Sequence, residues 1–201
     1  TIALQYDLAL TKWVVLARAL VVLDEDDLTS DSATAVASQQ SIKAYVDASG
    51  ITLGTPQTTT SGTAKDFTGI PTGVKRVTIM LDSVSLNGSD SLLVQIGDSG
   101  GIETSGYSSD SITAGGGVSS TAGFIIRLGT SSASAQGALV LTLLNATTDV
   151  WVAHGVFSRG DATDIITSAG IKSIGTALTQ LRVTSTGTNN FDAGEANISY
   201  E

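Results

Sequence analysis

The sequence predicts a mainly β protein in which a short helical stem precedes an antiparallel β-sandwich head of jelly-roll-like type. Short runs rich in Val, Ile, Leu and Thr recur along residues 51–201, with Gly, Ser, Asn and Asp between them. This is the pattern of a sandwich or barrel. Residues 1–50 carry apolar residues at helix-like spacing instead. We therefore expect a helical stem or anchor at 1–50 and a β-sandwich head at 51–201.

Length and composition limit the function classes. A chain of 201 residues is long enough for one well-packed domain and an additional segment. The formal charge of −9 argues against nucleic-acid binding, which needs clustered Lys and Arg. There is no cysteine, so neither disulfides nor thiolate metal sites can hold the fold. Stability must come from packing or from oligomerisation.

The stem is predicted from a heptad-like stripe. Because apolar positions alternate at spacings of 4 and 3, a helix here can form a coiled coil. The stripe consists of Ile2, Tyr6, Ala9, Trp13, Leu16, Leu20 and Leu23. A strand across the β-branched run Trp13–Leu23 is the alternative. At about 11 residues this run is too short to span a bilayer as a helix, so we expect no membrane insertion.

The stem also carries the predicted oligomer interface. Large aromatic residues at a positions favour a trimer or a docked bundle over a two-stranded coil. We therefore expect a homotrimer, and five stem residues are the candidates for the interface. They are Tyr6, Trp13, Leu16, Leu20 and Leu23.

A second helix is predicted between the acidic residues 24–27 and the head. Ser30 or Asp31 can cap a helix that begins near Ser32 or Ala33, and Gly50 is the predicted stop. The helix leads into the head, where the apolar runs predict seven strands. The runs are Val74–Leu81, Leu92–Ile96, Phe124–Leu128, Ala138–Leu144, Val150–Phe157, Leu178–Thr184 and Ala196–Tyr200.

Two features of the head are expected from its turn residues. Asn87-Gly88 lies between two apolar runs and predicts a hairpin turn. The glycine-rich stretch Gly97–Gly123 has few large apolar residues and predicts a long surface excursion. Such a stretch either recognises a ligand or packs between protomers. Tyr107 is the candidate binding residue, as an exposed aromatic for a polysaccharide.

Gly97-Asp98-Ser99-Gly100-Gly101 resembles the sequence motif around the nucleophilic serine of serine proteases, and it also fits the nucleophile elbow of hydrolases. A serine nucleophile needs an imidazole base, and the one histidine, His154, follows Ser99 instead of preceding it as in chymotrypsin-like enzymes. The hydrolase order is formally met, but the residues after Ser99 form a poor helix start. We expect a strand-end turn here, no catalytic residue and no enzyme.

No metal or cofactor is expected. His154 lies in a predicted strand without a second nitrogen ligand nearby in sequence. Acidic residues of the head could hold a calcium ion if loops converge, but none has EF-hand spacing, and solvated turn carboxylates are the default. These residues are Asp98, Glu103, Asp110, Asp161, Asp164, Asp192 and Glu195.

Four stretches resemble bacteriophage proteins. SDSATAVASQQSIKAYVDAS at 30–49 resembles a linker helix that precedes the distal domains of phage tail-fibre and related virion proteins. KDFTGIPTGVKRVTIML at 65–81, VQIGDSGGIETSGY at 94–107 and FDAGEANISYE at 191–201 are similar to a C-terminal β-rich module of phage and prophage proteins. The resemblance implies an appendage on the surface of the phage particle, usually homotrimeric, and it supplies no functional residues.

The resemblance leaves three functions to compare. The first is a virion fibre or spike whose distal head contacts a host-surface glycan or protein, with residues 1–50 bound to tail, neck or capsid proteins. The second is a capsid-bound head fibre or decoration protein without a receptor role. The third is a glycan depolymerase, which would use a pair of carboxylates.

Overall fold

The computed structural model describes residues 3–7, 12–17, 22–25, 29 and 35–201. The chain divides into two compact units, Thr1–Gly50 and Ile51–Glu201. Mainly β structure in antiparallel sheets is confirmed, with one α-helix among the described residues.

The N-terminal unit contains four short strands and the helix. Strands β1 (Ala3–Asp7) and β2 (Lys12–Ala17) pair in antiparallel fashion, and β3 (Val22–Leu23) pairs in parallel with β4 (Val36–Ala37). Helix α1 (Gln39–Ala48) follows.

At the described positions, the structure does not show the helical stem predicted across Ile2–Leu23. Tyr6 lies in β1 directly opposite Trp13 of β2, Leu16 also lies in β2, and Leu23 lies in β3. Leu20 lies outside the described residues. The β-branched and aromatic residues around Trp13 favour a strand, which was the alternative for this run. The structure therefore does not place the five stem residues on one helical seam.

Helix α1 confirms the second predicted helix but begins later than predicted, because Val36–Ala37 is paired as a strand. Ser38 is the N-cap, and its hydroxyl accepts a hydrogen bond from the Ser41 N–H at 3.0 Å. This is the usual way to satisfy a free N–H at a helix start. The helix ends at Ala48, where the Ser49 N–H donates to the Tyr45 carbonyl. The predicted caps, Ser30 and Asp31, lie outside the described residues.

The second unit consists of fourteen strands. In chain order they are β5 (Thr52–Leu53), β6 (Gln57–Thr58), β7 (Ala64–Thr68), β8 (Arg76–Leu86), β9 (Leu92–Asp98), β10 (Gly101–Ile102), β11 (Ser108–Thr113), β12 (Gly116–Ser120), β13 (Phe124–Ile126), β14 (Ser134–Asn145), β15 (Val150–Arg159), β16 (Ile165–Ser173), β17 (Gln180–Ser185) and β18 (Phe191–Tyr200).

These strands form two antiparallel sheets around one core. The larger sheet has the order β12-β11-β16-β15-β14-β8-β18-β5, and β6 also pairs with β18. The smaller sheet has the order β10-β9-β17-β7, and β13 also pairs with β9. Inward side chains of both sheets join one hydrophobic cluster, so the architecture is sandwich-like. Its largest fully buried side chains are Trp151, Phe124, Phe157 and Phe191.

Early strands of the unit pair with late ones. Strand β8 pairs with β18 in the larger sheet, β9 with β17 in the smaller sheet, and β11 with β16 in the larger sheet again. The chain thus crosses between the sheets on its outward and return courses as an antiparallel ribbon. Of the twelve strand pairings in this unit, four join consecutive strands.

Each of the seven predicted strand runs overlaps an observed strand. Two turn predictions are wrong. Asn87-Gly88 does not close a hairpin, because β8 and β9 belong to different sheets. Gly97–Gly123 is not a long loop, since it contains β10, β11 and β12.

No helix among the described residues is long and apolar enough to cross a membrane.

Candidate functional site

The larger sheet has one face on the core and the other toward solvent, and the strand register defines what the outer face presents. In the central row, Val140 of β14 lies opposite His154 of β15, and His154 lies opposite Ala169 of β16. The row continues to Asp110 of β11 and Ser119 of β12. The row therefore ends in two polar side chains, Asp110 and Ser119, at the edge formed by β11 and β12.

A groove of about 540 Å³ lies on this face over β11, β12 and β16. It is lined by Asp110, Ser111, Ile112, Gly117, Val118, Ser119, Thr167 and Ala169. A second depression of about 350 Å³ adjoins it and is rich in hydroxyl groups. Its lining residues are Tyr107, Ser108, Ser109, Asp110, Ser119, Ser120 and Thr121. Asp110 and Ser119 belong to both, so the two depressions meet at these side chains.

The groove combines one carboxylate with hydroxyl groups and a small apolar floor. Asp110 is exposed, and no described residue forms a hydrogen bond or ion pair with its carboxylate. An ionised carboxylate accepts hydrogen bonds from hydroxyl donors, and serine and threonine can both donate and accept. Ile112 and Ala169 provide apolar surface beside them. These groups suit an uncharged polyhydroxylated ligand, whereas the carboxylate disfavours an anionic one.

The strand beneath the groove is held by buried hydroxyl groups. The Ser109 hydroxyl accepts a hydrogen bond from the Ile125 N–H at 3.0 Å and donates to the Ala169 carbonyl. The Ser111 hydroxyl accepts from the Arg127 N–H at 3.1 Å and from the Ser168 hydroxyl. Two of these bonds join β11 to β16, and the other two join it to the backbone of Ile125 in β13 and of Arg127 just after it.

Tyr107, the predicted exposed binding residue, is buried with 3% of its surface exposed. Its hydroxyl accepts a hydrogen bond from the Ile96 N–H at 2.8 Å and donates to the Glu103 carbonyl at 2.9 Å. Its ring packs edge-on against Phe124, and the Lys172 ammonium lies 5.2 Å from the ring centroid. Its predicted exposure is therefore wrong, and Tyr107 anchors the segment before β11 to the core.

The hydroxyl of Tyr107 makes the head less stable at alkaline pH. Burial raises the pKa of Tyr107 well above its usual value, the hydrogen bond from Ile96 acts against this, and nearby Glu103 adds to it. In the unfolded chain tyrosine ionises near pH 10. The contribution of Tyr107 is therefore full below about pH 10 and is lost as the pH rises further, because only the unfolded state then releases the proton.

We expect Tyr107→Phe to weaken this alkaline loss. The variant should also be about 1–3 kcal/mol less stable at pH 7, because the buried Ile96 N–H loses its acceptor. Urea unfolding at pH 7 and between pH 9 and 11 measures both effects. Equal slopes of stability against pH in the two proteins would contradict the role given to the Tyr107 hydroxyl.

Ser99 lies in the two-residue turn that joins β9 to β10. The Asp98 carboxylate accepts a hydrogen bond from the Gly100 N–H at 2.7 Å across the turn. A strand follows Ser99 where a nucleophile elbow needs a helix. The Gly-Asp-Ser-Gly-Gly motif therefore forms a tight hairpin, which agrees with the predicted turn at a strand end.

The other candidate residues are dispersed. His154 is exposed on β15 in the middle of the outer face. No group of three or more His, Cys, Asp or Glu side chains among the described residues could hold a metal ion. Asp161 and Asp164 both form ion pairs with Arg159, and Glu103 pairs with Lys172.

Sequence reasoning identified Asp110 only as one of several acidic residues, and it did not find the groove. The strand that carries Asp110 alternates hydroxyl-bearing inward residues with exposed ones, so it gives no hydrophobic alternation to detect. One signal in the sequence could have revealed this strand. Along residues 108–113, Ser or Thr occupies every second position.

Comparisons of the chain with protein-family models, curated proteins and solved structures found no match.

Proposed function

We propose that this chain is a structural, non-enzymatic protein of a bacteriophage particle, a fibre or spike that presents the β unit at the particle surface. One observation carries the proposal: the stretches that resemble phage proteins coincide with framework elements. The linker-like sequence at 30–49 contains α1. The module-like sequences contain most of β7, the first half of β8, most of β9 with β10, and all of β18. The resemblance therefore involves the paired central strands of the fold.

The winding of the β unit supports the same proposal. An antiparallel ribbon that crosses twice between two sheets is the arrangement of jelly-roll domains, which are common in viral capsid proteins and lectins. We interpret the β unit as jelly-roll-like on this ground. Residues 1–50 then provide attachment to other tail, neck or capsid proteins.

A homotrimer is part of the proposal. On α1 the large apolar side chains Ile42, Tyr45 and Val46 are about half or more exposed, whereas Ser41 is buried. A helix of ten residues is only marginally stable without tertiary contacts. A stripe at i, i+3 and i+4 is the form in which one helix packs on another, so equivalent helices of neighbouring copies would cover it.

Locating the chain in an electron-microscopy map of the intact particle tests the proposal. We expect density for the β unit at the particle surface, in copy numbers divisible by three. Density on the capsid shell would favour the decoration protein over the fibre. Purified particles that lack the chain would contradict a virion role, and release of oligosaccharides by the pure protein would favour the depolymerase.

For the fibre, we propose that the groove at Asp110 contacts an uncharged host-surface saccharide. Three copies would raise a weak single-site affinity by avidity. On an array of neutral oligosaccharides, we expect Asp110→Ala to bind at least about tenfold more weakly than the wild type, since a charged hydrogen-bond acceptor is lost. Asp82→Ala is the matched control, because Asp82 is exposed on the same face but lies on β8. Equal binding by Asp110→Ala would contradict a role for the groove.

A further inference from the structure

Two pairs of hydrogen bonds join the end of β8 to the connection between β17 and β18. The Asn87 N–H donates to the Asn190 carbonyl at 2.9 Å, and the Asn190 N–H donates to the Asn87 side-chain Oδ1 at 3.0 Å. Beside them, the Asp90 N–H donates to the Asn189 side chain at 3.2 Å, and the Asn189 N–H donates to the Asp90 carboxylate at 3.0 Å. We call these four contacts the clasp. It joins the segment that leaves the larger sheet after β8 to the segment that returns to it before β18.

Asn87 is the one asparagine of the sequence that a glycine follows. The main-chain nitrogen of the next residue can attack an asparagine side chain and close a five-membered succinimide ring. Glycine leaves this nitrogen unshielded, because it has no Cβ. Asn87 is exposed, and the Gly88 N–H has no hydrogen-bond acceptor among the described residues. The attacking nitrogen is therefore not held by another contact.

The Asn190 N–H is directed at the oxygen on which charge develops in this reaction. When the Gly88 nitrogen bonds to the Asn87 Cγ, the Asn87 Oδ1 becomes an oxyanion. A backbone N–H that already donates to that oxygen stabilises the charge, as the donors of an oxyanion hole do in acyl transfer. The leaving nitrogen, Asn87 Nδ2, forms no hydrogen bond to any residue that the structure describes. The clasp thus activates the Asn87 amide and leaves its nitrogen open to solvent.

We propose that Asn87 is a self-modification site, at which the Gly88 nitrogen displaces the side-chain amide. The bond from the Gly88 nitrogen to the Asn87 Cγ forms and the Cγ–Nδ2 bond breaks. The amide leaves as ammonia and takes up the proton of the Gly88 nitrogen. Water then opens the succinimide at either carbonyl, which gives aspartate or isoaspartate at position 87. The reaction consumes one water molecule, needs no partner and does not depend on the virion role.

Both products weaken the clasp. In isoaspartate the main chain passes through the former side-chain carboxyl carbon, so the chain is one methylene longer and the acceptor for the Asn190 N–H is displaced. Aspartate keeps an acceptor, but it adds a negative charge three residues from Asp90, in a chain whose formal charge is already −9. Like charges close together repel each other. The modification is therefore expected to loosen the connection between the two crossing segments.

Peptide mass spectrometry of the chain after incubation at mildly alkaline pH tests the proposal. Asn87 is expected to convert at least about tenfold faster than Asn145, and part of the product should be isoaspartate, since direct hydrolysis gives aspartate alone. Asn145 is the matched comparison, because it is also exposed and its Oδ1 also accepts a backbone N–H, from Thr147 at 2.8 Å, but Ala146 follows it. Conversion of Asn87 no faster than that of Asn145, or without isoaspartate, overturns the proposal.

The contribution of the fold has its own measurement. The same protein unfolded in guanidinium chloride keeps Gly88 but loses the Asn190 donor, so conversion of Asn87 in the folded protein is expected to be at least as fast. Slower conversion in the folded protein overturns the proposal, because the clasp then protects Asn87. Asn87→Gln is the control variant: its side chain would have to close a six-membered ring, so it is expected to remain unmodified.

The effect on the clasp is measured by urea unfolding. Modified and unmodified wild type can be separated by ion exchange, since both products add a negative charge. The modified protein is expected to unfold at lower urea, whereas Asn87→Gln should unfold at the same urea before and after the incubation. Equal unfolding of the modified and unmodified wild type overturns the effect on the clasp.

Discussion

Replacing Trp151 by alanine is expected to lower the free energy of unfolding by about 3–5 kcal/mol, the usual cost of truncating a buried tryptophan. Trp151 is 1% exposed in β15, and it is among the largest fully buried side chains of the core. The space left behind is bounded by both sheets, which limits how far the neighbours can move to fill it. Thermal or urea unfolding of the full chain measures the loss.

Trp151→Phe is the informative companion. The indole N–H of Trp151 is buried and has no hydrogen-bond acceptor among the described residues. Phenylalanine removes that unsatisfied donor, whose burial is costly, while it keeps most of the apolar contact. We expect its loss of stability to stay below about 2 kcal/mol. An alanine variant within 1 kcal/mol of the wild type would show that Trp151 is not a core residue.

Gly97→Val is expected to destabilise the β unit by about 3 kcal/mol, at the upper end of overpacking effects. A Cβ atom on Gly97 would lie 2.2 Å from the Gly101 carbonyl oxygen and 2.8 Å from the Ile102 Cα. Both are backbone atoms of the paired strand β10, so they cannot move aside without opening the hairpin. The measurement is again unfolding by urea.

Ser99→Ala is the matched substitution in the same motif. Ser99 is exposed in the turn, so its replacement should change stability by less than about 0.5 kcal/mol. The pair of variants separates the two interpretations of Gly-Asp-Ser-Gly-Gly: a hairpin needs the glycine, whereas a nucleophile needs the serine. A stable Gly97→Val protein would contradict the hairpin geometry.

The strands that could be predicted from the sequence are those whose buried faces are apolar. Val150–Phe157 is an example, since Trp151, Ala153 and Phe157 point inward from β15 and are buried. A half-buried strand requires buried apolar residues to alternate with exposed residues, so its pattern is visible in the sequence.

The missed strand β11 has the opposite character. Its inward residues Ser109, Ser111 and Thr113 are buried at 7% exposure or less, although all three are polar. Hydrogen bonds from and to the hydroxyl groups of Ser109 and Ser111 compensate their burial. Such partners come from residues distant in sequence, and a local pattern cannot reveal them. The groove was missed with the strand that carries it.

The helical stem predicted from the N-terminal apolar stripe is not shown at the described positions, and the reason is different. Over a few residues, spacings of 4 and 3 also occur when a β-branched run alternates irregularly, so period alone does not separate helix from strand. The register that sets Tyr6 opposite Trp13 depends on the pairing of β1 with β2. The misplaced exposure of Tyr107 is similar, because its burial depends on the Ile96 backbone and Phe124.

The pairing of β8 with β18 joins residues more than 100 positions apart in the sequence. A chain with so many non-local pairings has a high contact order, and such topologies fold slowly because large loops must close before the contacts form. During synthesis, the larger sheet must wait with an unpaired edge at β8 until β18 has left the ribosome. Exposed strand edges of this kind are prone to pair with other chains. Nascent copies made on neighbouring ribosomes are therefore expected to need chaperone protection of the β8 edge.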